Sequence, residues 1–454
     1  MYQVYILLVT FGHMTFTSIF VDALTLHTTY EGIEDGYVKV FDGDTNTINV
    51  QISQMHSWSN LTIELKSSNE DVFQVEPELQ HLDIEELETV SLNATIIGVF
   101  IGVEILHIRI INDSSATEST EVIKVFRVPS LLNFVFTYFL LIWLIVSYVT
   151  MGTKLDLKLI WENVRRPVGV TIGMFCQFIV MPLLAFCLAV TLSDSRQSAI
   201  GLIVEGSSPG GWYSNIFTLL LDCDFVLSLT MTFCSTIAAL GFMPLNMFIY
   251  ANKFIEDDEA LKTPFVQMVQ QFALMLVPVL VGIFIRYKLS KLKDICLLLL
   301  KPFAWILIVV SLALGVPSNI YIFQGSWQIW VLCAFYPFIG GLLGFFFATI
   351  TRRKCPQAVT IALETGVQNS VLATIVIRLA YPQPEADIIS RIPLLISLTT
   401  LIEGCSMVLV YITYQRLCKK KYTAVQEVDP ANAGNESIDG QTDTEIRLDE
   451  NNAS

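Results

Sequence analysis

Glu364 stands in an otherwise uncharged run, Ile361 to Asn369, with no Lys or Arg after it before Arg378. In a bilayer such a side chain costs roughly 2.5 to 3.5 kcal/mol or more and needs a cation, a proton or a polar partner. A bound cation is the natural partner; a protonated carboxyl and a bridge to another helix are the alternatives. Na⁺, like the hard divalent ions, prefers oxygen, which unwound carbonyls, hydroxyls, amides and one carboxylate can supply. Ser228 and Thr232, four residues apart, place two hydroxyls on one helix face, though such hydroxyls also bond their own i−4 carbonyls. Gln177, ahead of Met181-Pro182, is ambiguous alone, and Glu403 is a further carboxylate in an apolar run, read as a packing or gating partner. No HExxH or paired catalytic Asp motif occurs, so the chain reads as a non-enzyme.

The residues around these groups break their own helical pattern. Ser207-Ser208-Pro209-Gly210-Gly211, with Ser214-Asn215 beyond, interrupts one apolar segment, and Glu364-Thr365-Gly366-Val367-Gln368-Asn369 interrupts another. Proline removes a helical donor, and paired glycines allow non-helical dihedrals. Irregular backbone at membrane depth is tolerated only where protein buries it or water reaches it. Two interruptions at matching places in the two halves of a membrane domain point to the ion and substrate site of a secondary transporter. Close helix packing is the competing use of such residues.

The chain has 454 residues, 53% hydrophobic and only 15% charged, against roughly 25% charged in soluble domains, which excludes a soluble enzyme. Nine apolar segments are long enough to cross ~30 Å of hydrocarbon: 131–151, 167–192, 198–222, 225–249, 264–285, 295–316, 327–350, 357–380 and 392–415. Residues 1–23 read as a signal peptide without a basic start, which puts the N-terminus outside and, after nine spans, the C-terminus in the cytosol. The connections this places inside carry 15 Lys and Arg and those outside carry 4, which satisfies the positive-inside rule. The net charge of −15 divides into −13 over residues 24–129, +6 over 130–421 and −7 over 422–454, with Asp22 supplying the remaining −1. Acidic ends flank a mildly basic membrane core, and nothing points to nucleic acid.

Residues 24–129 read as an extracellular β-rich domain, a β-sandwich by its strands at 37–41, 46–52, 61–65, 73–75, 104–111 and 122–126. Asn60, Asn93 and Asn112 head glycosylation sequons there. All nine cysteines lie between Cys176 and Cys418, so this domain folds without disulfides. Residues 130–418 form the transporter domain, and 419–454 an acidic, disordered cytosolic tail.

The run Glu205 to Gly211, followed by Ser214-Asn215, Asp224, Leu227-Ser228, Met231-Thr232, Ser235-Thr236 and Pro244-Leu245, resembles the sodium/bile acid cotransporter family. Glu364-Thr365-Gly366 with Gln368-Asn369 and Tyr381-Pro382 is similar to that family's second signature. The resemblance spans nearly all of residues 131–418, and the long region ahead of it looks like the branch with an extended extracellular N-terminus. It implies an α-helical polytopic protein whose nine helices form core and panel domains with two crossed discontinuous helices. It implies one sodium site at Ser214, Asn215, Ser228, Thr232 and Glu364. A second would use Gln177, Glu364, Gln368 and carbonyls near Thr365 and Val367. Asn369, with Pro209, Gly211 and Trp212 around the first break, would lie on the side of an anionic substrate, which helix N-termini favour.

Departures from the family fall on that side: Trp212 and Tyr213 add bulk after the glycines, Cys223 precedes Asp224, and Arg378 stands where a neutral residue is common. Simple snorkelling to the outer surface is one account of Arg378. The expectation is sodium-coupled symport of an amphipathic organic anion, bile acid or steroid conjugate, across the plasma membrane by alternating access. Na⁺ is the co-transported ion, no cofactor is needed, and a second copy of the chain is a candidate partner. A proton-coupled carrier and a non-transporting receptor that uses the ectodomain are the alternatives.

Overall fold

The structure is a computed structural model that describes residues 9–11, 14–21, 24–30, 33–34, 37–54, 61–82, 89–111, 116–165, 167–255, 265–289, 291–292, 295, 298, 306, 309–310, 311–324 and 326–427. Asn60, Asn112, most of the segment 295–316 and the tail beyond residue 427 lie outside the described residues. The chain divides into two units, Met1–Glu403 and Gly404–Ser454.

Twelve strands precede the helices: β1 (Val9–Phe11), β2 (Met14–Val21), β3 (Leu24–Tyr30), β4 (Ile33–Glu34), β5 (Tyr37–Phe41), β6 (Thr45–Gln54), β7 (Leu61–Ser67), β8 (Phe73–Glu76), β9 (Leu79–Leu82), β10 (Thr89–Gly98), β11 (Gly102–Ile111) and β12 (Ala116–Phe126). They form two six-stranded sheets, ordered β1-β2-β3-β6-β10-β8 and β4-β5-β12-β11-β7-β9. Alternate residues point inward, as a strand's period of two requires. Val38 and Val40, Leu106, Ile108 and Ile110, and Ile123 and Val125 from one sheet meet Ile48, Phe73, Leu92 and Ile96 from the other in one apolar core. Strands β1 and β2 fall within the segment read as a signal peptide. Their alternating aromatic and β-branched residues suit strands, and β2 pairs with β3, so loss of residues 1–23 would leave β3 as the sheet edge. Asn93 is exposed on β10, where its Oδ1 accepts from Asn49 Nδ2 at 2.7 Å.

The helices are α1 (Leu131–Lys154), α2 (Leu157–Arg165), α3 (Val168–Phe175), α4 (Met181–Leu192), α5 (Arg196–Ser207), α6 (Trp212–Leu220), α7 (Phe225–Asn246), α8 (Asn252–Ile255), α9 (Phe265–Lys288), α10 (Trp327–Ile350), α11 (Cys355–Gly366), α12 (Ser370–Ala380) and α13 (Glu385–Glu427). Among the described residues, five helical stretches are long and apolar enough to cross a membrane: Leu131–Lys154, Val168–Leu192, Phe225–Ile255, Trp327–Ile350 and Glu385–Leu417. Side-chain caps start several helices: Ser130, Ser195, Asp224 and Asn369 each accept from a backbone N–H three residues on. The last helix runs nine residues into the segment expected to be disordered, where Lys419-Lys420-Lys421 are good helix formers that extend an existing helix at little nucleation cost.

One π-helical turn, Cys176–Val180, joins α3 to α4. Pro182 has no N–H to offer the carbonyl of Phe178 four residues back, and Asn246 Nδ2 donates to that oxygen instead, at 3.1 Å. The two parts of the first unit are tied at one end of the helices. Ile101, between β10 and β11, packs with Tyr321 and Ile322, and Lys124 Nζ meets Glu385 Oε1 at 2.6 Å.

Candidate functional site

Both expected breaks are present, and they lie against each other. α5 ends at Ser207 and α6 begins at Trp212; α11 ends at Gly366 and α12 begins at Ser370. Gly211 N–H donates to Val367 O at 3.2 Å and Asn369 N–H to Pro209 O at 3.0 Å, which makes a short antiparallel bridge between Gly210 and Gln368. The bridge satisfies backbone groups that the interruptions free, at a depth where water cannot. It also explains the glycines. A Cβ at Gly210 would stand 2.6 Å from Glu364 Oε2, and one at Gly211 would stand 2.6 Å from Gln368 O.

The Glu364 side chain is fully buried at this junction. Its Oε1 accepts from Ser214 Oγ at 2.8 Å and from Ser228 Oγ, and its Oε2 from Thr232 Oγ1 at 2.9 Å. Asn215 joins the same cluster, donating to Thr232 Oγ1 at 3.1 Å and accepting from Ser228 Oγ at 3.0 Å. All five residues of the first set named from sequence therefore join one hydrogen-bonded cluster, from α6, α7 and α11. The geometry follows from local rules: the four-residue spacing aligns Ser228 and Thr232 on one face of α7, and Ser214-Asn215 occupy the first turn of α6.

The second set adjoins the Glu364 backbone and the bridge between the two breaks. The π-helical turn carries Gln177 inward, where its Nε2 donates to Glu364 O at 2.7 Å and its Oε1 is buried without a protein partner. Gln368 Oε1 accepts from Ser208 Oγ at 3.2 Å, and Val367 contributes the carbonyl already paired with Gly211. Thr365 is fully buried.

Of the residues expected near a substrate, Asn369 and Trp212 line a cavity of about 30 Å³ together with Tyr148 and Trp143. Asn369 Oδ1 caps α12 through Leu372 N–H at 3.1 Å, and its Nδ2 donates to Tyr148 Oη at 3.2 Å, which leaves one amide hydrogen for a ligand. Trp212 stands edge-on to Trp143 at 5.7 Å. Pro209 and Gly211 act through their backbones, in the bridge.

Sequence reasoning passed over two partners. Glu205, also fully buried, accepts from Ser370 Oγ at 2.6 Å and so joins the end of α5 to the start of α12. A carboxylate near an otherwise uncharged break was the available signal, and it was read only as part of the motif. Tyr148 reaches the site from α1, which no local pattern could indicate. Glu403 is half-buried, on α13. Arg378 does not snorkel: its side chain is 9% exposed and donates to Thr137 Oγ1 at 2.8 Å and Asn319 Oδ1 at 2.9 Å.

The Sodium Bile acid symporter family matches residues 141–325. The P3 protein of Bos taurus is 33% identical over 62% of this chain, and the chain spans only 59% of that protein's length. The sodium-dependent organic anion transporter of Homo sapiens is 32% identical over 64% of this chain and 77% of its own length. The ileal sodium/bile acid cotransporter of Cricetulus griseus is 31% identical over 66% of this chain and 85% of its own length. Likeness of this extent to two proteins covered for most of their length goes well beyond a shared motif: this multi-pass membrane chain belongs to the sodium bile acid symporter family.

Proposed function

We propose that this chain is a sodium-coupled symporter of an amphipathic organic anion, with nine membrane spans, two crossed broken helices, an outward N-terminus and alternating access at the plasma membrane. The observation that carries the reading is the arrangement of neutral hydroxyls around the buried carboxylate of Glu364. Each hydroxyl has one proton and two acceptors in reach. Ser214 can donate to Glu364 or to Gly211 O at 2.6 Å, Ser228 to Glu364 or to Asn215 Oδ1, and Thr232 to Glu364 or to Ser228 O at 3.0 Å. With the three protons aimed at the carboxylate, its charge is satisfied without an ion. With Na⁺ beside Glu364, the hydroxyls turn to their second acceptors and present lone pairs to the cation. Gln177 Oε1, lacking a protein partner, suits a second ion.

Ion binding at Glu364 would fix the two breaks together and shape the substrate side. There the starts of α6 and α12 favour negative charge, with Trp212 and Asn369 at the cavity. A space of about 30 Å³ holds a water or two. An organic anion must therefore enter when α1, which carries Trp143 and Tyr148, moves away from the breaks, which is the motion alternating access supplies. The test is uptake of a tritiated steroid sulfate by proteoliposomes under an inward Na⁺ gradient. Accumulation that stops when choline replaces Na⁺ supports the proposal. Uptake indifferent to Na⁺ and driven by external acid would assign Glu364 to proton coupling instead.

A further inference from the structure

Glu205 is as fully buried as Glu364, yet it lies outside both sodium sets. Its Oε1 stands 2.6 Å from Ser370 Oγ, and its Oε2 is buried without a hydrogen-bond partner. Glu364, by contrast, has three hydroxyls spread over both oxygens. The helix ends do not make up the difference. Glu205 stands in the last turn of α5, whose carbonyl end disfavours negative charge, and its partner Ser370 starts α12, whose N–H end favours it, so the two effects offset.

No Lys or Arg among the described residues pairs with this carboxyl group. Lys253 of α8 lies over the Phe186 ring at 5.6 Å, and Arg378 of α12 is held by Thr137, Asn319 and Asp387. α13 meets α5 where the Ile389 carbonyl faces Gly201; there Asp194 takes Arg391 at 2.8 Å and Lys124 takes Glu385 at 2.6 Å. Glu403 stands about four turns further along α13. Tyr336 and Cys333 of α10 interact with Glu205 electrostatically and bear no positive charge.

A hard metal cation wants several oxygens, and one hydroxyl does not supply them. A proton needs no such shell. It turns a buried charge into a neutral group with a single unpaired atom, which is far cheaper to bury. Ser370 also gives the proton a way in and out. It lines the cavity of about 30 Å³ beside Trp212 and Asn369, and another of about 60 Å³ with Asn319, Thr374 and Ser397, each roomy enough for water. With the proton on Oε1, the carboxyl donates to Ser370 Oγ, and the serine's own hydrogen turns to water in either cavity. Deprotonation reverses both bonds.

We propose that Glu205 is a proton-binding site one hydroxyl away from the substrate side, and that its proton must be in place for an anion to bind beside Ser370. Ionised, Glu205 would set a negative charge against the anion across a single side chain; neutral, it sets none. Proton and anion therefore raise each other's affinity, as linkage requires. The proton site stands on this geometry alone, and its coupling to an anion rests on the transport reading above.

The test of the site is infrared difference spectroscopy between mildly acidic and alkaline buffer, on the full chain in dodecyl maltoside, a detergent with no carbonyl group, without Na⁺ or organic anion. A protonated-carboxyl band that vanishes in alkali is expected in wild type and in Glu364→Gln, and its loss in Glu205→Gln. Ser370→Ala, which keeps the carboxyl but removes its partner, should shift the band to higher frequency, and it carries the test if Glu205→Gln does not fold. No such band in wild type, or a band indifferent to both substitutions, would overturn the site. Binding of a tritiated steroid sulfate in saturating Na⁺ then tests the coupling. Wild-type affinity should weaken by up to about tenfold per unit of rising pH, the most that one linked proton allows, and Glu205→Gln should stay level. Equal weakening in both would overturn the coupling. A chain that binds no anion at any pH fails the transport reading and takes the coupling with it, while the infrared band still decides the site.

Discussion

Alanine at Gly210 is the smallest change that should break the junction. Its Cβ would lie 2.6 Å from Glu364 Oε2 and 2.7 Å from Gln177 Nε2, whereas ordinary contacts begin near 3.4 Å. Both atoms end flexible side chains, yet each is held: Oε2 by Thr232 at 2.9 Å and Nε2 by Glu364 O at 2.7 Å. Yielding by most of an ångström costs one or both of these bonds, about 1 to 3 kcal/mol in a buried site. Overpacking adds about 1 to 3 kcal/mol, so the total is roughly 2 to 6 kcal/mol, and sodium binding should suffer with it. Gly241→Ala is the control, because a Cβ on that α7 residue meets nothing within 4 Å. It should leave stability unchanged or raise it by about 1 kcal/mol through helix propensity. The assay is the apparent thermal midpoint of detergent-purified protein by intrinsic fluorescence, with and without Na⁺. A Gly210→Ala protein that melts with wild type and keeps its sodium response would refute the close-approach argument.

Two further outcomes test the supports of the site. Asn246→Leu strips the Phe178 carbonyl of its donor beside the Gln177 turn and should cost about 1 to 3 kcal/mol; a midpoint equal to wild type would mean that the carbonyl finds another partner. Asp194, in the turn between α4 and α5, is pushed up by burial, but the Arg391 charge and hydrogen bonds with Ser198, Arg391 and Ser195 outweigh this and hold it below its ordinary value. A depressed folded value stabilises fully above the unfolded value of ~3.9 and loses that contribution as pH falls through the folded one. The stability gap between wild type and Asp194→Asn should therefore be level from about pH 5 to 7 and close below about pH 4. A gap that widens on acidification would contradict the assignment.

The parts of the site that were legible in the sequence are those set by local chemistry. Pro209-Gly210-Gly211 and Gly366 announce breaks because proline and glycine act on the backbone they occupy, and α5 and α11 end, and α6 and α12 begin, around those residues. The strands at Tyr37–Phe41 and Leu61–Ser67 were visible through β-branched alternation, whereas β10, with Asn93 and Thr95 on its outward face, reads as polar and was missed. Pairings between distant segments had no local mark. Glu205 finds Ser370 across 165 residues, Asn246 finds Phe178 across 68, and Asn369 finds Tyr148 across 221. Arg378 belongs to the same class. On its own helix it looks like a side chain free to reach the surface, and only the arrival of Thr137, Asn319 and Asp387 from elsewhere keeps it buried.

The central claim is that Na⁺ binds at the Glu364 carboxylate where the two breaks meet. At ~2.4 Å and an effective dielectric near ~20, the ion and carboxylate attract by about 7 kcal/mol before desolvation, and a third of that surviving is already about fiftyfold in affinity. Glu364→Gln keeps the side chain's size and its acceptor for Ser214 and Ser228 while removing the charge. The measurement is thermal stability across a Na⁺ titration, with choline holding ionic strength constant, for wild type and Glu364→Gln. Wild type should show a saturable, Na⁺-specific gain of about 2.7 kcal/mol at 100 times its Kd, and the variant about 0.6 kcal/mol at the same concentration. Equal sodium responses in the two proteins would contradict the claim.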